Sequence, residues 1–136
     1  MRRLRANILR LWLALAVMTA AGVAYGYSEY RQQQSDARAA LLTGGDPGLA
    51  VPLLRRHGCA GCHEIKGVDA PGGSVGPPLD EVGKRLYLAG VLANTPENLV
   101  RWIVDPKAFN PRTAMPVTGI TEAEARHVAA YLYARR

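Results

Sequence analysis

With 136 residues, the chain has room for one domain and an appendage. Its net charge of +6 does not make a nucleic-acid footprint: Arg2, Arg3, Arg5 and Arg10 supply four of the positive charges, and beyond them 13 basic side chains face 11 acidic ones. That leaves no field strong enough to hold a phosphate backbone, and nucleic acid is excluded as a partner.

The appendage comes first. Leu11 to Ser28 carry no charge and include Leu11, Trp12, Leu13, Leu15, Val17, Met18 and Val23. This run approaches the ~20 residues that cross a bilayer and exceeds the ~7–15 of a secretory signal core. Gly22-Val23-Ala24 and Ala24-Tyr25-Gly26 offer small residues for cleavage, yet Tyr25, Tyr27 and Tyr30 fit an interfacial aromatic cluster. Residues 1–27 therefore read as an uncleaved anchor, in the bilayer over about 8–27, rather than a removed signal; the charge asymmetry also argues against a buried core helix. The arginines belong on the cytoplasmic side and residues 28–136 on the other.

Residues 28–44 are polar and helix-prone, a stalk stopped at Thr43-Gly44-Gly45. Asp46-Pro47 starts a helix by N-cap plus proline, running to about His57, with Pro52 expected to kink it. Glu64 to Asp80 is a Gly/Pro-rich loop. Thr95-Pro96 opens a second helix carrying Leu99, Val100, Trp102, Ile103 and Val104, broken at Asp105-Pro106. Residues 107–119 read as loop, and Thr121 with Glu124 at capping-box spacing starts the last helix. No strand pattern is evident. The fold class is all-α: three main short helices in a domain over 45–136, behind one transmembrane helix.

Between the first helix and the loop stands Cys59-Ala60-Gly61-Cys62-His63. Two thiols three residues apart add across the vinyl groups of one haem, and the adjacent histidine becomes an axial ligand of its iron. A thioredoxin-like dithiol does not need the histidine, and a zinc site needs four ligands where this chain has two cysteines. One covalent haem c is thus expected. Its two propionates would offset the remaining positive charge, and its macrocycle supplies the apolar plate that a loop-rich domain of this size lacks. Bacteria attach haem to such motifs outside the inner membrane, which puts the domain in the periplasm.

The sixth iron position has several candidates: Met115, His57, His127, Lys66, Lys84, Lys107, or no protein ligand. Met115 is the one methionine in the domain and sits in the loop Asn110-Pro111-Arg112-Thr113-Ala114-Met115-Pro116, where core filling is the weaker explanation. His63 and Met115 are the expected iron ligands.

Gly45-Asp46-Pro47, Cys59 to His63, Gly76-Pro77-Pro78-Leu79, and Trp102 through Met115-Pro116 together resemble a class I c-type cytochrome over residues 45–136. The resemblance implies that the Pro77 carbonyl accepts a hydrogen bond from the His63 ring and that Leu79 packs on the haem. It further implies that Trp102, Leu99 and Ile103 line the pocket and that Thr113 lies near the methionine and a propionate. Pro52, and Ala50 in place of a crossing glycine, depart from that pattern. Val75 to Arg85 and Ala93 to Leu99 are similar to the haem c domain fused to subunit II of certain bacterial oxidases. The function implied is a membrane-tethered, single-haem electron carrier, not itself an enzyme, serving membrane respiratory complexes with a terminal oxidase as acceptor. A fixed electron-entry subunit of an oxidase or nitric-oxide reductase is the alternative, and a five-coordinate sensor or peroxidase ranks last.

Overall fold

The computed structural model describes residues 2–69, Gly73 and 75–135. Four α-helices follow one another: α1 (Arg2–Thr43), α2 (Ala50–Arg56), α3 (Pro96–Val104) and α4 (Glu122–Ala134). Single 3₁₀ turns lie at Pro47–Leu49, Cys59–Gly61, Val82–Lys84 and Pro106–Ala108. The chain divides into two compact units, residues 1–34 and 35–136.

The first unit is an apolar stretch of α1 long enough to cross a membrane, with a mean hydropathy of 1.7 over its best window and none of that window buried. Leu11, Trp12, Val17, Met18 and Val23 are all exposed. A soluble core helix would hide such residues; by length and composition this one could cross a membrane.

In the second unit α4 is the hub, packed against α2, α3 and the turns at 47–49 and 82–84. It buries Ala125, Val128, Ala129, Tyr131 and Leu132. Thr121 and Glu124 close the capping box: the Glu124 N–H donates to the Thr121 hydroxyl at 3.3 Å, and the Thr121 N–H to the Glu124 carboxylate at 3.0 Å. Thr95 caps α3 in the same way by accepting from the Asn98 N–H at 3.2 Å. On α3, Leu99, Val100, Trp102 and Ile103 face the core.

Several sequence expectations need correction. The second compact unit starts at Ser35, ahead of Gly45, and takes in more than half of the 28–44 segment. Ala39 and Thr43 are buried there, the Ser35 hydroxyl donates to the Ala134 carbonyl at 2.9 Å, and Arg126 donates to the Thr43 carbonyl at 3.0 Å. Pro52 kinks nothing. The segment from Asp46 is a 3₁₀ turn that changes to α-helix at Ala50, so Pro52 falls in the first helical turn, where its missing N–H costs little. Nor does the first helix need a glycine at position 50: Ala50 is wholly buried, and the close approach to α4 is made by Gly45, where a Cβ would stand 2.1 Å from the Arg126 carbonyl oxygen.

A small antiparallel ribbon, β1 (Tyr87–Leu88) with β2 (Leu92–Ala93), was not foreseen. Its turn runs through Ala89 and Gly90, both at positive φ, the pattern of the type I′ turns that suit twisted hairpins. Asn94 fastens the ribbon's end, donating to the Val82 and Arg85 carbonyls and accepting from the Tyr133 hydroxyl at 2.6 Å.

Candidate haem site

The Cys59 to His63 segment leaves α2 through Gly58, whose positive φ of 70° turns the chain. Cys59–Gly61 then forms one 3₁₀ turn, closed by Cys62 and His63 N–H groups that both donate to the Cys59 carbonyl. Both cysteines are half-buried. Burial pushes the Cys59 thiol up from its ordinary value, its own backbone hydrogen bond partly offsets this, and the neighbouring Cys62 adds to the rise.

The following loop folds back onto this turn. The Gly76 N–H donates to the Cys62 carbonyl at 2.8 Å, and the Leu79 N–H to the Glu64 carbonyl at 2.9 Å. Asp80 accepts from the Lys66 N–H at 2.7 Å, the Tyr131 hydroxyl donates to the Lys66 carbonyl at 2.5 Å, and Arg85 donates to the Pro78 carbonyl. The loop that looked irregular in sequence is thereby pinned to α4 and to the attachment turn.

That folding fixes the His63 ring. Its Nδ1 lies 2.8 Å from the Pro77 carbonyl oxygen. Because a carbonyl can only accept, Nδ1 carries the hydrogen and Nε2 keeps its lone pair. The ring lies in a slot made by an absent side chain: a Cβ on Gly76 would fall 2.3 Å from Cε1 and 2.5 Å from Nδ1 of His63. Gly76 is the functional residue that sequence reasoning passed over. It stood within the Gly-Pro segment but had no assigned role, since its contact is with a ring thirteen residues earlier.

Of the residues expected to line the site, Leu99, Trp102 and Ile103 are buried, while Leu79 and Met115 are partly buried and pack against the core. Phe109 joins them with its ring centroid 6.4 Å from that of Trp102, and the Arg101 guanidinium lies over the Phe109 ring at 4.9 Å. Met115 and Thr113 are tied together, the Met115 N–H donating to the Thr113 hydroxyl oxygen at 3.2 Å.

The rival nitrogen donors have other partners. His127 accepts the Asp46 N–H at Nδ1 (2.8 Å), Lys84 pairs with Glu81 at 2.8 Å, and the Lys107 ammonium lies 3.5 Å from the Thr113 carbonyl. The Lys84 hydrogen bond holds the Glu81 carboxyl below its usual range. His57 packs with Nδ1 at 3.3 Å from the Thr118 carbonyl. Lys66 is exposed. Among the described residues, no three His, Cys, Asp or Glu side chains converge to hold a metal ion by themselves.

These residues fit a covalent haem. Two thiols at the right spacing precede an imidazole that is slotted and oriented, with Nε2 bonded to no group among the described residues, and a thioether stands on a separate loop beside the core. A family model for cytochrome c matches residues 53–134. The chain is 33% identical over 81 residues to a protein of Alkalihalophilus pseudofirmus named cytochrome c oxidase subunit 2, covering 59% of this chain and 23% of that one. It is 32% identical over 78 residues to the protein of the same name from Bacillus sp. (strain PS3), covering 54% and 22%. The chain thus spans less than a quarter of the length of these curated relatives. No solved structure matches at a significant level.

Proposed function

The chain belongs to the cytochrome c family, and from that premise we propose that it is a membrane-tethered, single-haem electron carrier delivering electrons to a respiratory terminal oxidase. The observation that carries this reading is the immobilised His63 ring, held by the Pro77 carbonyl on one side and the Gly76 slot on the other. A ligand that cannot rotate suits a metal that must change oxidation state with little rearrangement.

In this reading Cys59 and Cys62 would hold the haem by thioethers, and His63 Nε2 and the Met115 sulfur would be the protein's ligands to its iron. Bound haem supplies an iron that alternates between ferrous and ferric states. The Pro77 hydrogen bond fixes the His63 tautomer and makes the ring a stronger donor. The soft sulfur of Met115 favours the ferrous state. Leu99, Trp102, Ile103 and Leu79 keep water from the pocket, which also favours the less charged state. Thr113 holds the backbone of Met115 and stands ready for a propionate.

The anchor is assigned to the bacterial inner membrane with the arginines in the cytoplasm and the haem domain in the periplasm, by the positive-inside rule. Tethering restricts the domain to a layer beside the membrane and raises its effective concentration at a membrane partner. A second reading, a fixed electron-entry subunit, is favoured by one observation: both relatives are named as oxidase subunits.

Two measurements test these readings. Met115→Ala should leave the haem attached while lowering its reduction potential; an unchanged potential removes Met115 from the iron. Isolation from membranes in mild detergent should yield the protein free of a multi-subunit oxidase, and stable co-purification with one replaces the mobile carrier by the fixed subunit.

A further inference from the structure

We propose that His57 is a positioning residue for the Met115 loop, its ring joining the Thr118 carbonyl on that loop to the Glu124 carboxylate on α4. The inference rests on the reading of Met115 as an iron ligand.

The loop after Met115 has little else to hold it. Among the described residues, 114–120 make no backbone–backbone hydrogen bond. Its attachments are the Thr113–Met115 bond at one end, buried Ile120 at the other, and the contact of Thr118 with His57 between them. His57 is well placed for this. It caps α2, its N–H bonded to the Leu53 carbonyl at 2.9 Å, and its side chain is only 11% exposed.

The ring's surroundings specify its hydrogens. Nδ1 lies 3.3 Å from the Thr118 carbonyl oxygen, an obligate acceptor. Among the described residues Nε2 is buried without a hydrogen-bond partner, and the Glu124 Oε2 stands 3.5 Å away. The ring thus lies between the two elements, within hydrogen-bond range of the Thr118 carbonyl and ion-pair range of the Glu124 carboxylate.

Glu124 is built to remain an anion. Its carboxyl is held below the ordinary range first by the Thr121 N–H and hydroxyl, then by Arg56 and His57. From α2, Arg56 shares the Glu124 carboxylate. Cys59 belongs to the adjoining turn, and residues 116–120 contain no titratable side chain. Glu124 on α4 and Arg56 on α2 are therefore the charges that face His57. The strap links α2, α4 and the loop bearing Met115.

The test is carbon monoxide binding to the reduced holoprotein, followed by stopped flow at neutral pH, because carbon monoxide can reach the iron only when Met115 leaves it. Loss of the hydrogen bond to the Thr118 carbonyl should speed binding about fivefold. His57→Phe, which keeps ring volume, should show this increase, and His57→Gln, which restores one donor, an intermediate one. Glu124→Gln retains a capping-box residue and so a folded α4, and should also bind faster. Wild-type rates in His57→Phe and Glu124→Gln, with Met115→Ala still opening the iron, would overturn the strap and leave the ligand standing. No acceleration in Met115→Ala would bring down the ligand assignment and the strap together.

Discussion

Adding a single methyl group at Gly76 should disable the site more than any other small change in the attachment loop. A Cβ there would meet the His63 ring at 2.3, 2.5 and 2.9 Å from Cε1, Nδ1 and Nε2. Neither side can step back freely. The ring is held by its bond to the Pro77 carbonyl, and the Gly76 backbone by its N–H bond to the Cys62 carbonyl, both 2.8 Å long. Overpacking costs about 1–3 kcal/mol, and losing one of those hydrogen bonds about 1 kcal/mol more. The total, roughly 2–4 kcal/mol, is a large share of the ~5–15 kcal/mol of a small domain. For a unit of this size it corresponds to a fall of roughly 10–30 °C in Tm. Denaturant unfolding of matured Gly76→Ala protein, followed by haem absorbance, gives the number. Gly61→Ala is the control within the same loop, since a Cβ there meets nothing within 4 Å. If both variants unfold within about 0.5 kcal/mol of wild type, the slot does not hold the ring and the argument for its immobilisation fails.

Three further outcomes are expected. Gly45→Ala would set a methyl 2.1 Å from the Arg126 carbonyl oxygen, backbone against backbone, and should cost about 3 kcal/mol or more by denaturant titration. Ala89→Gly relieves a left-handed residue (φ 47°) at the hairpin turn and should raise stability by about 0.5–1 kcal/mol in the same assay. The Glu124 carboxyl sits below its ordinary value of 4.5 because Thr121 donates to its anion, so its contribution is complete above that pH and is lost as pH falls through the lowered value. Stability measured from pH 6 to 2.5 should therefore decline less steeply in Glu124→Gln than in wild type.

What could be read in the sequence was what is encoded locally. Thr95-Pro96 and Thr121 with Glu124 mark helix starts because the cap and the groups it satisfies lie within one turn. Asp46-Pro47 marks a start as well, but whether a 3₁₀ turn or an α-helix follows depends on packing against α4, and that moved Pro52 to a harmless position. The attachment motif was legible because haem chemistry demands adjacency. Gly76 was not, because the ring it accommodates reaches it only through the folded loop. The ribbon escaped notice since two-residue strands carry no alternation to detect, and its turn uses Ala89 where asparagine or glycine would have signalled it. His57 and His127 looked like spare imidazoles, yet one meets Thr118 and the other caps Asp46, both pairings between distant parts of the chain.

The same reasoning explains why the start of the domain lies at Ser35. From Ser35 to Thr43 the residues turned inward are Ser35, Asp36, Ala39, Ala40 and Thr43, a helical face by spacing but one of small and polar side chains. A reading based on bulky apolar residues sees a solvated stalk there. Small residues are what a helix needs where it must lie close to another, and the polar ones meet partners: Ser35 the Ala134 carbonyl, Asp36 the Arg135 guanidinium at 3.3 Å, and Thr43 the Gly45 N–H at 3.2 Å. A domain of this size, with so much of its chain in loops, has few other ways to enlarge its core. Residues 35–43 thus belong to the packed unit, ordered by their bonds to α4 and to Arg135.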